Sequence, residues 1–281
     1  MAVLTPDSYV ELRNCVKVPI IGFGTGDLQE NEKKQVAIIR EAIEAGYRHF
    51  DAGFIYHSER AIGTALRECE IDREDVFLTS KLWDADMRRG PISMLRSFEE
   101  SLRRFNTDYL DLYLIHWPVQ GKLCEAWRVL EQLYQLGKVR AIGISNAERH
   151  HIMQIMTECD ITPHIHQNEF SPYCMMSYVR YFGECYDIKF EAMMPIQRLR
   201  YESSNSIIGK IADKYKKNMH QIVLRWDIQH GMITLPKSAN PKHMRSNMDI
   251  FDFNLTENEM AEIDSLNREA PVNWDPNIFN F

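Results

Sequence analysis

Residues Gly46–Tyr56 read GYRHFDAGFIY, a short apolar run that ends on an ionisable residue, Asp51, and is followed five positions later by a tyrosine, Tyr56. A phenol has an ordinary pKa of about 10 and gives up its proton poorly at neutral pH unless a cation lies near it, and a carboxylate can hold such a cation in place. The chain supplies an amine at Lys81, near the end of the strand-like run Val76–Leu82, and an imidazole at His116, at the end of Leu112–His116. Taken singly, Asp51 and Lys81 read as an ordinary ion pair, Tyr56 as a packed loop aromatic and His116 as a core histidine. Taken together, they stand at the ends of successive strands, and neighbouring parallel strands deliver their last residues to one rim.

Working outward, strands and amphipathic helices alternate. A strand over residues 19–25 precedes an Asn31-capped helix with Val36, Ile39 and Ile43 on one face, stopped by Gly46. Ser58 is placed to cap a helix carrying Ala61, Ile62, Ala65 and Leu66, and Leu95, Phe98, Leu102 and Phe105 mark the next. A helix between Lys122 and Leu136 is closed by Gly137, and strands follow at residues 140–145, 164–168, 188–193 and 232–235 with helical segments between them. Thr256-Glu257-Asn258-Glu259 is a capping box, flanked by Leu255 and Met260 as a hydrophobic staple. Eight strands, each followed by a helix, imply parallel strands with right-handed crossovers, and eight is the number that closes a (β/α)8 TIM barrel. A doubly wound open sheet is the alternative. The glycines Gly22, Gly24 and Gly26 open no helix with a GxxG pattern, so they read as tight packing at a strand end and not as a Rossmann fingerprint.

The length of 281 residues suits one such barrel, with an N-terminal hairpin at about 8–18 around Arg13-Asn14 and a C-terminal tail at about 268–281. With 33 basic and 40 acidic residues interspersed, the net charge of −7 gives no nucleic-acid footprint. No apolar run approaches the ~20 residues of a membrane span, and no signal peptide is apparent. Six scattered cysteines without CxxC or metal-type spacing read as reduced thiols of a cytoplasmic protein.

Six ordered motifs carry a resemblance over about residues 18–266. They are GYRHFDAGFIY, LTSKLW (78–83), DYLDLYLIHWP (108–118), GKVRAIGISN (137–146), HQNEFSPY (166–173) and the stretch from Leu235 to Met260 that begins LPKSANP. The sequence resembles the aldo-keto reductases, and the resemblance implies a (β/α)8 barrel that holds an extended nicotinamide cofactor without a Rossmann domain and reduces a small-molecule aldehyde or ketone. Carried over motif by motif, Tyr56 is the implied proton donor, Asp51 and Lys81 tune it, and His116 orients the carbonyl oxygen. Ser145, Asn146 and Gln167 match positions that hold the nicotinamide amide. Lys237 and Ser238 match those that hold the adenosine 2′-phosphate, which implies NADPH with NADH use possible, and Asn247 matches a position near the adenine. Two departures stand out: the family's AYSPL is Ala192-Met-Met-Pro-Ile here, which puts Met193 in place of the tyrosine that stacks on the nicotinamide, and His243 replaces an arginine near the phosphate. These departures imply weaker NADPH binding and poorer discrimination against NADH. Phe54, Trp83 and Trp117 are expected to wall the substrate pocket, and Gly26 leaves room where the family carries a bulky aromatic. The tail, with Trp274, Phe279 and Phe281, is expected to fold over the pocket or pack on the barrel side. A monomer or weak homodimer is the expected assembly. A barrel that binds nucleotide without chemistry, as a regulatory or interaction subunit, is the alternative function.

Overall fold

The computed structural model describes residues 4–28, 31–201 and 203–278. The chain opens with the hairpin β1 (Tyr9–Glu11) and β2 (Lys17–Pro19), paired antiparallel with Val10 opposite Val18. Its turn passes through Arg13 and Asn14, and Cys15 takes the left-handed conformation (φ 63°). Leu12, Val16 and Val18 are driven into the N-terminal mouth of the barrel, where they pack with Phe77, Leu112, Leu114, Ala141, Ile165 and Ile233 from five different strands.

Eight parallel strands follow: β3 (Phe23–Gly24), β4 (His49–Asp51), β5 (Phe77–Leu82), β6 (Leu110–Ile115), β7 (Val139–Ser145), β8 (Ile165–Glu169), β9 (Lys189–Met193) and β10 (Ile233–Leu235). Each pairs with its sequence neighbours. The last meets the first through a parallel bridge between Ile21 and Thr234, with Gly22 N donating to Thr234 O at 2.9 Å. The sheet therefore closes on itself, as the strand count predicts, and the open-sheet alternative falls away. Gly22 earns its place at this seam, because a Cβ there would lie 2.6 Å from Leu235 Cδ2 and 2.7 Å from His49 Nδ1.

The outer ring is built from α1 (Glu32–Glu44), α2 (Glu59–Glu68), α3 (Asp84–Arg89), α4 (Pro91–Phe105), α5 (Leu123–Gln135), α6 (Arg149–Glu158), α7 (Ser177–Cys185), α8 (Ile207–Tyr215), α9 (Met219–Gln229), α10 (Pro241–Met248) and α11 (Glu257–Asp264). Asn31 caps α1 through Oδ1, which accepts from Lys33 N and Lys34 N at 3.0 and 3.3 Å. Thr256 and Glu259 form the expected reciprocal box at α11, and Leu255 and Met260 both join the core. Ser58 departs from its expected role. It stands at the N-cap of α2, but its hydroxyl is bonded to Thr25 Oγ1 at 2.7 Å and caps nothing. The short α3 and the polar α10 were not foreseen, since six residues give no helical period and only Met244 and Asn247 are buried in α10. All six cysteines are free.

Candidate active site

Side chains alternate across each strand, so His49 and Asp51 on β4 share one face, as do Thr79 and Lys81 on β5. Lys81 is fully buried, and its ammonium donates to Asp51 Oδ1 and Oδ2 at 2.7 and 2.8 Å and to Ala52 O at 2.8 Å. Beyond Asp51 the chain turns through a 3-10 helix, Phe54–Tyr56, which swings Tyr56 back over the rim so that the Lys81 ammonium lies 4.8 Å from its ring centroid. The Tyr56 hydroxyl is 3.1 Å from His116 Nε2, and the two rings meet edge to face. The four residues singled out in the sequence are thus one constellation at the C-terminal end of the barrel.

Its electrostatics differ from the expectation in one respect. Lys81 was expected to bring the phenol down toward neutral pH, yet burial raises the Tyr56 pKa above its ordinary value, with Lys81 opposing and Asp51 adding to the rise. The reason is that desolvation disfavours the phenolate more than the Lys81 ammonium favours it, and the Asp51 carboxylate partly cancels the field of that ammonium. Tyr56 therefore keeps its proton at neutral pH, which is the form a proton donor needs. Lys81 itself is pulled down by burial but carried above its ordinary value by Asp51 and Tyr56, so it is a fixed cation. Burial, and then Lys81, hold His116 far below the usual imidazole range. It is neutral, with Nε2 on Tyr56 and no partner for Nδ1 among the described residues.

A cleft of about 490 Å³ opens in front of this group, lined by Tyr56, His116, Trp117, Asn146, Gln167 and Met193, and reaching Gly24 and Lys237 at its far end. Asn146, held in the left-handed region (φ 55°), donates from Nδ2 to His116 O at 2.9 Å and to Ser145 Oγ at 3.1 Å. The Gln167 amide nitrogen donates to Asp51 Oδ1 (3.0 Å) and Glu191 Oε2 (2.7 Å), while its oxygen faces Ser145 Oγ at 3.4 Å. Lys237 is exposed and has no ion-pair partner among the described residues. Ser238 Oγ accepts from Asn240 N at 3.0 Å in the turn that leads into α10, and His243 is exposed on that helix. Asn247 is buried beside the Tyr47 hydroxyl and lies outside the cleft lining. Trp83 packs edge to face on His116, centroids 5.2 Å apart. Phe54 turns the other way, beneath the Arg104 guanidinium at 4.5 Å. Gly26 faces the Tyr56 ring, where a Cβ would sit at 3.6 Å.

The tail folds over the mouth of the cleft. Val272 N and Asn273 N donate to the buried Glu169 Oε2 at 2.7 and 3.0 Å, Asn273 Nδ2 donates to Asn146 Oδ1 at 2.6 Å, and Trp274 lies 6.4 Å from Trp117, centroid to centroid. Phe279 and Phe281 lie outside the described residues. A larger hollow of about 560 Å³ sits on the other side of the tail and contains none of the four rim residues. The sequence reading passed over Glu169, Glu191 and Asn273. The strand period could have found Glu191, which shares a face with Met193 two positions on; nothing in the sequence marks Asn273.

The family model described as the Aldo/keto reductase family matches residues 20–268, almost the whole of the barrel. The chain belongs to that family. Among aldo/keto reductase relatives, it is 40% identical over 272 residues to the 9,11-endoperoxide prostaglandin H2 reductase of Trypanosoma cruzi (strain CL Brener), covering 96% of this chain and 95% of that one. It is 39% identical over 272 residues to the glyoxal reductase of Bacillus subtilis (strain 168), covering 97% of each. Among solved structures it resembles a Gox0644 mutant in complex with NADPH, with a TM-score of 0.91 at 34% identity, covering 98% of this chain and 99% of that one. Among the described residues, no helix is long and apolar enough to cross a membrane, and no group of three or more His, Cys, Asp or Glu side chains could hold a metal ion.

Proposed function

We propose that this protein is an NADPH-dependent reductase that converts aldehydes or ketones to alcohols, with Tyr56 as the proton donor. The observation that carries the reading is the meeting of a phenol and an imidazole, 3.1 Å apart, in the lining of a cleft beside a buried ammonium. Both groups can hydrogen-bond one carbonyl oxygen, which polarises the carbonyl carbon and stabilises the charge that develops on the oxygen during reduction. As the oxygen gains charge, Tyr56 transfers its proton to it, and the nearby Lys81 ammonium stabilises the phenolate left behind. Asp51 keeps that ammonium in place, and the Gln167 amide steadies Asp51 from the opposite side.

The donor set suits a nicotinamide. Both Gln167 N–H groups are committed to carboxylates, so its oxygen remains to accept from a carboxamide, and Asn146 and Ser145 stand beside it. Met193 offers a thioether face at the cleft wall. Lys237, Ser238 and the start of α10 form a positive end suited to the 2′-phosphate of NADPH. When bound, the cofactor supplies a hydride from its C4. The glyoxal reductase relative supports a small, reactive dicarbonyl as one substrate, and the apolar surface that Trp117 gives the cleft discriminates weakly among carbonyls of similar size. The test is NADPH oxidation by the purified protein with glyoxal, an aromatic aldehyde and a ketone, run in parallel with NADPH binding. Turnover with at least one aldehyde is expected; tight binding without turnover would favour a nucleotide-binding barrel with a regulatory role.

A further inference from the structure

Behind the rim lies a second carboxyl that the reaction proposed above does not use. Glu191 on β9 is fully buried, and its Oε2 accepts from Gln167 Nε2 at 2.7 Å, the same nitrogen that donates to Asp51 Oδ1 at 3.0 Å. Its Oε1 has no hydrogen-bond partner among the described residues; His49 Nε2, itself 3.2 Å from Thr79 Oγ1, lies 3.6 Å away. The groups that face Glu191 can be named element by element. His49 and Asp51 come from β4 and Lys81 from β5, Gln167 from β8 is not titratable, and β10 sets the apolar Ile233 opposite. Two carboxyls therefore share one ammonium in a dry interior, and that ammonium is already bound by both oxygens of Asp51. A second ionised carboxylate with a bare oxygen would be a heavily penalised, uncompensated charge. A protonated one carries no such charge and sits beside the neutral imidazole of His49 without an uncompensated anion.

We propose that Glu191 is a positioning residue of the reductase: as a neutral carboxylic acid it locks the Gln167 amide between itself and Asp51, aims the amide oxygen at the cleft, and leaves Asp51 as the sole anion sharing Lys81. This rests on the function proposed above and extends it. Burial, reinforced by Asp51, pushes the Glu191 carboxyl up to about 8, while burial depresses His49 to about 4, which agrees with a protonated acid beside a neutral imidazole. The consequence for chemistry has a definite sign. Ionising Glu191 at alkaline pH places a second negative charge next to the Asp51–Lys81 pair and makes the Tyr56 phenolate harder to form. Reduction then slows as pH rises through that ionisation.

The test pairs Glu191→Gln, which is permanently neutral and keeps a hydrogen-bonding head, with Glu191→Leu, which leaves Gln167 without its inner partner. The infrared difference spectrum between wild type and Glu191→Gln at neutral pH is expected to show the carbonyl stretch of a buried protonated acid, disappearing on alkalinisation; Asp227 on α9, whose buried carboxyl accepts from Thr234 Oγ1 and is also pushed up by burial, is common to both proteins and cancels. In the kcat/KM profile for carbonyl reduction, the alkaline fall of the wild type is expected to be lost in Glu191→Gln. NADPH, measured by fluorescence without substrate, is expected to bind about fivefold more weakly to Glu191→Leu than to Glu191→Gln, as befits loss of one buried hydrogen-bond partner. An ionised Glu191 in the infrared at neutral pH, or an alkaline limb unchanged in Glu191→Gln, would overturn the proposal. The infrared and binding measurements need no turnover, so their failure is distinct from a failure of the reductase reading.

Discussion

Two carboxylates buried on strands of this barrel that flank β5 have opposite surroundings. Asp111, near the start of β6, is fully buried and holds Arg73 and Arg140 at 2.7 Å each while also accepting from Leu78 N at 2.9 Å. Asp51, at the end of β4, is as strongly paired with Lys81. Around Asp51 a phenol and an imidazole meet at 3.1 Å and line an open cleft, whereas on the Asp111 side the phenol of Tyr109 lies under the Arg73 guanidinium at 3.9 Å. The partners bonded to Asp111 are guanidinium groups and a backbone N–H, which hold charge but have no proton to exchange at working pH. A buried ion pair is therefore not by itself a mark of chemistry; what distinguishes the second pair is that the phenol and imidazole beside its cation line a cleft.

The contrast can be broken most severely at Tyr56. Tyr56→Phe removes the proton donor and should lower kcat by roughly 10²–10⁴-fold, while the NADPH Kd, read by fluorescence, stays within about twofold. Retained turnover would place the acid elsewhere. Next in size is Lys81→Met, which leaves Asp51 as a buried unpaired charge. Chemical denaturation should show a loss of about 3–5 kcal/mol, and turnover of the folded fraction should fall at least ~10²-fold. The smallest effect is expected at the far end of the cleft. His243→Arg adds an always-charged, forked group on α10 and should tighten NADPH up to about fivefold with little change for NADH. A wild type that already prefers NADPH strongly and binds it tightly would show that Met193 and His243 cost nothing.

The alternation of strands and helices and the placement of Asp51, Lys81 and His116 were legible because both follow from periodicity: a two-residue repeat fixes which face a strand residue occupies, and the strand end fixes the rim. Tyr56 was legible by its spacing from Asp51, but its neighbour Phe54 was not. In the tight 3-10 turn, residues two apart leave in different directions, which sends Phe54 outward to Arg104. The tail reaches the cleft through Glu169 and Asn273, a contact between segments about 100 positions apart, and nothing local encodes it. The direction of the Tyr56 pKa shift differed from the reading because the sequence shows which charges are present but not how far packing strips water from the phenol.

Asp51→Asn and Asp111→Asn, compared side by side for kcat/KM per folded molecule, test the central claim most directly. Asp51→Asn should lose at least about tenfold in kcat/KM. Asp111→Asn should lose unfolding free energy but retain wild-type kcat/KM in the molecules that stay folded. Equal losses of kcat/KM in the two variants, or none in either, would contradict the account.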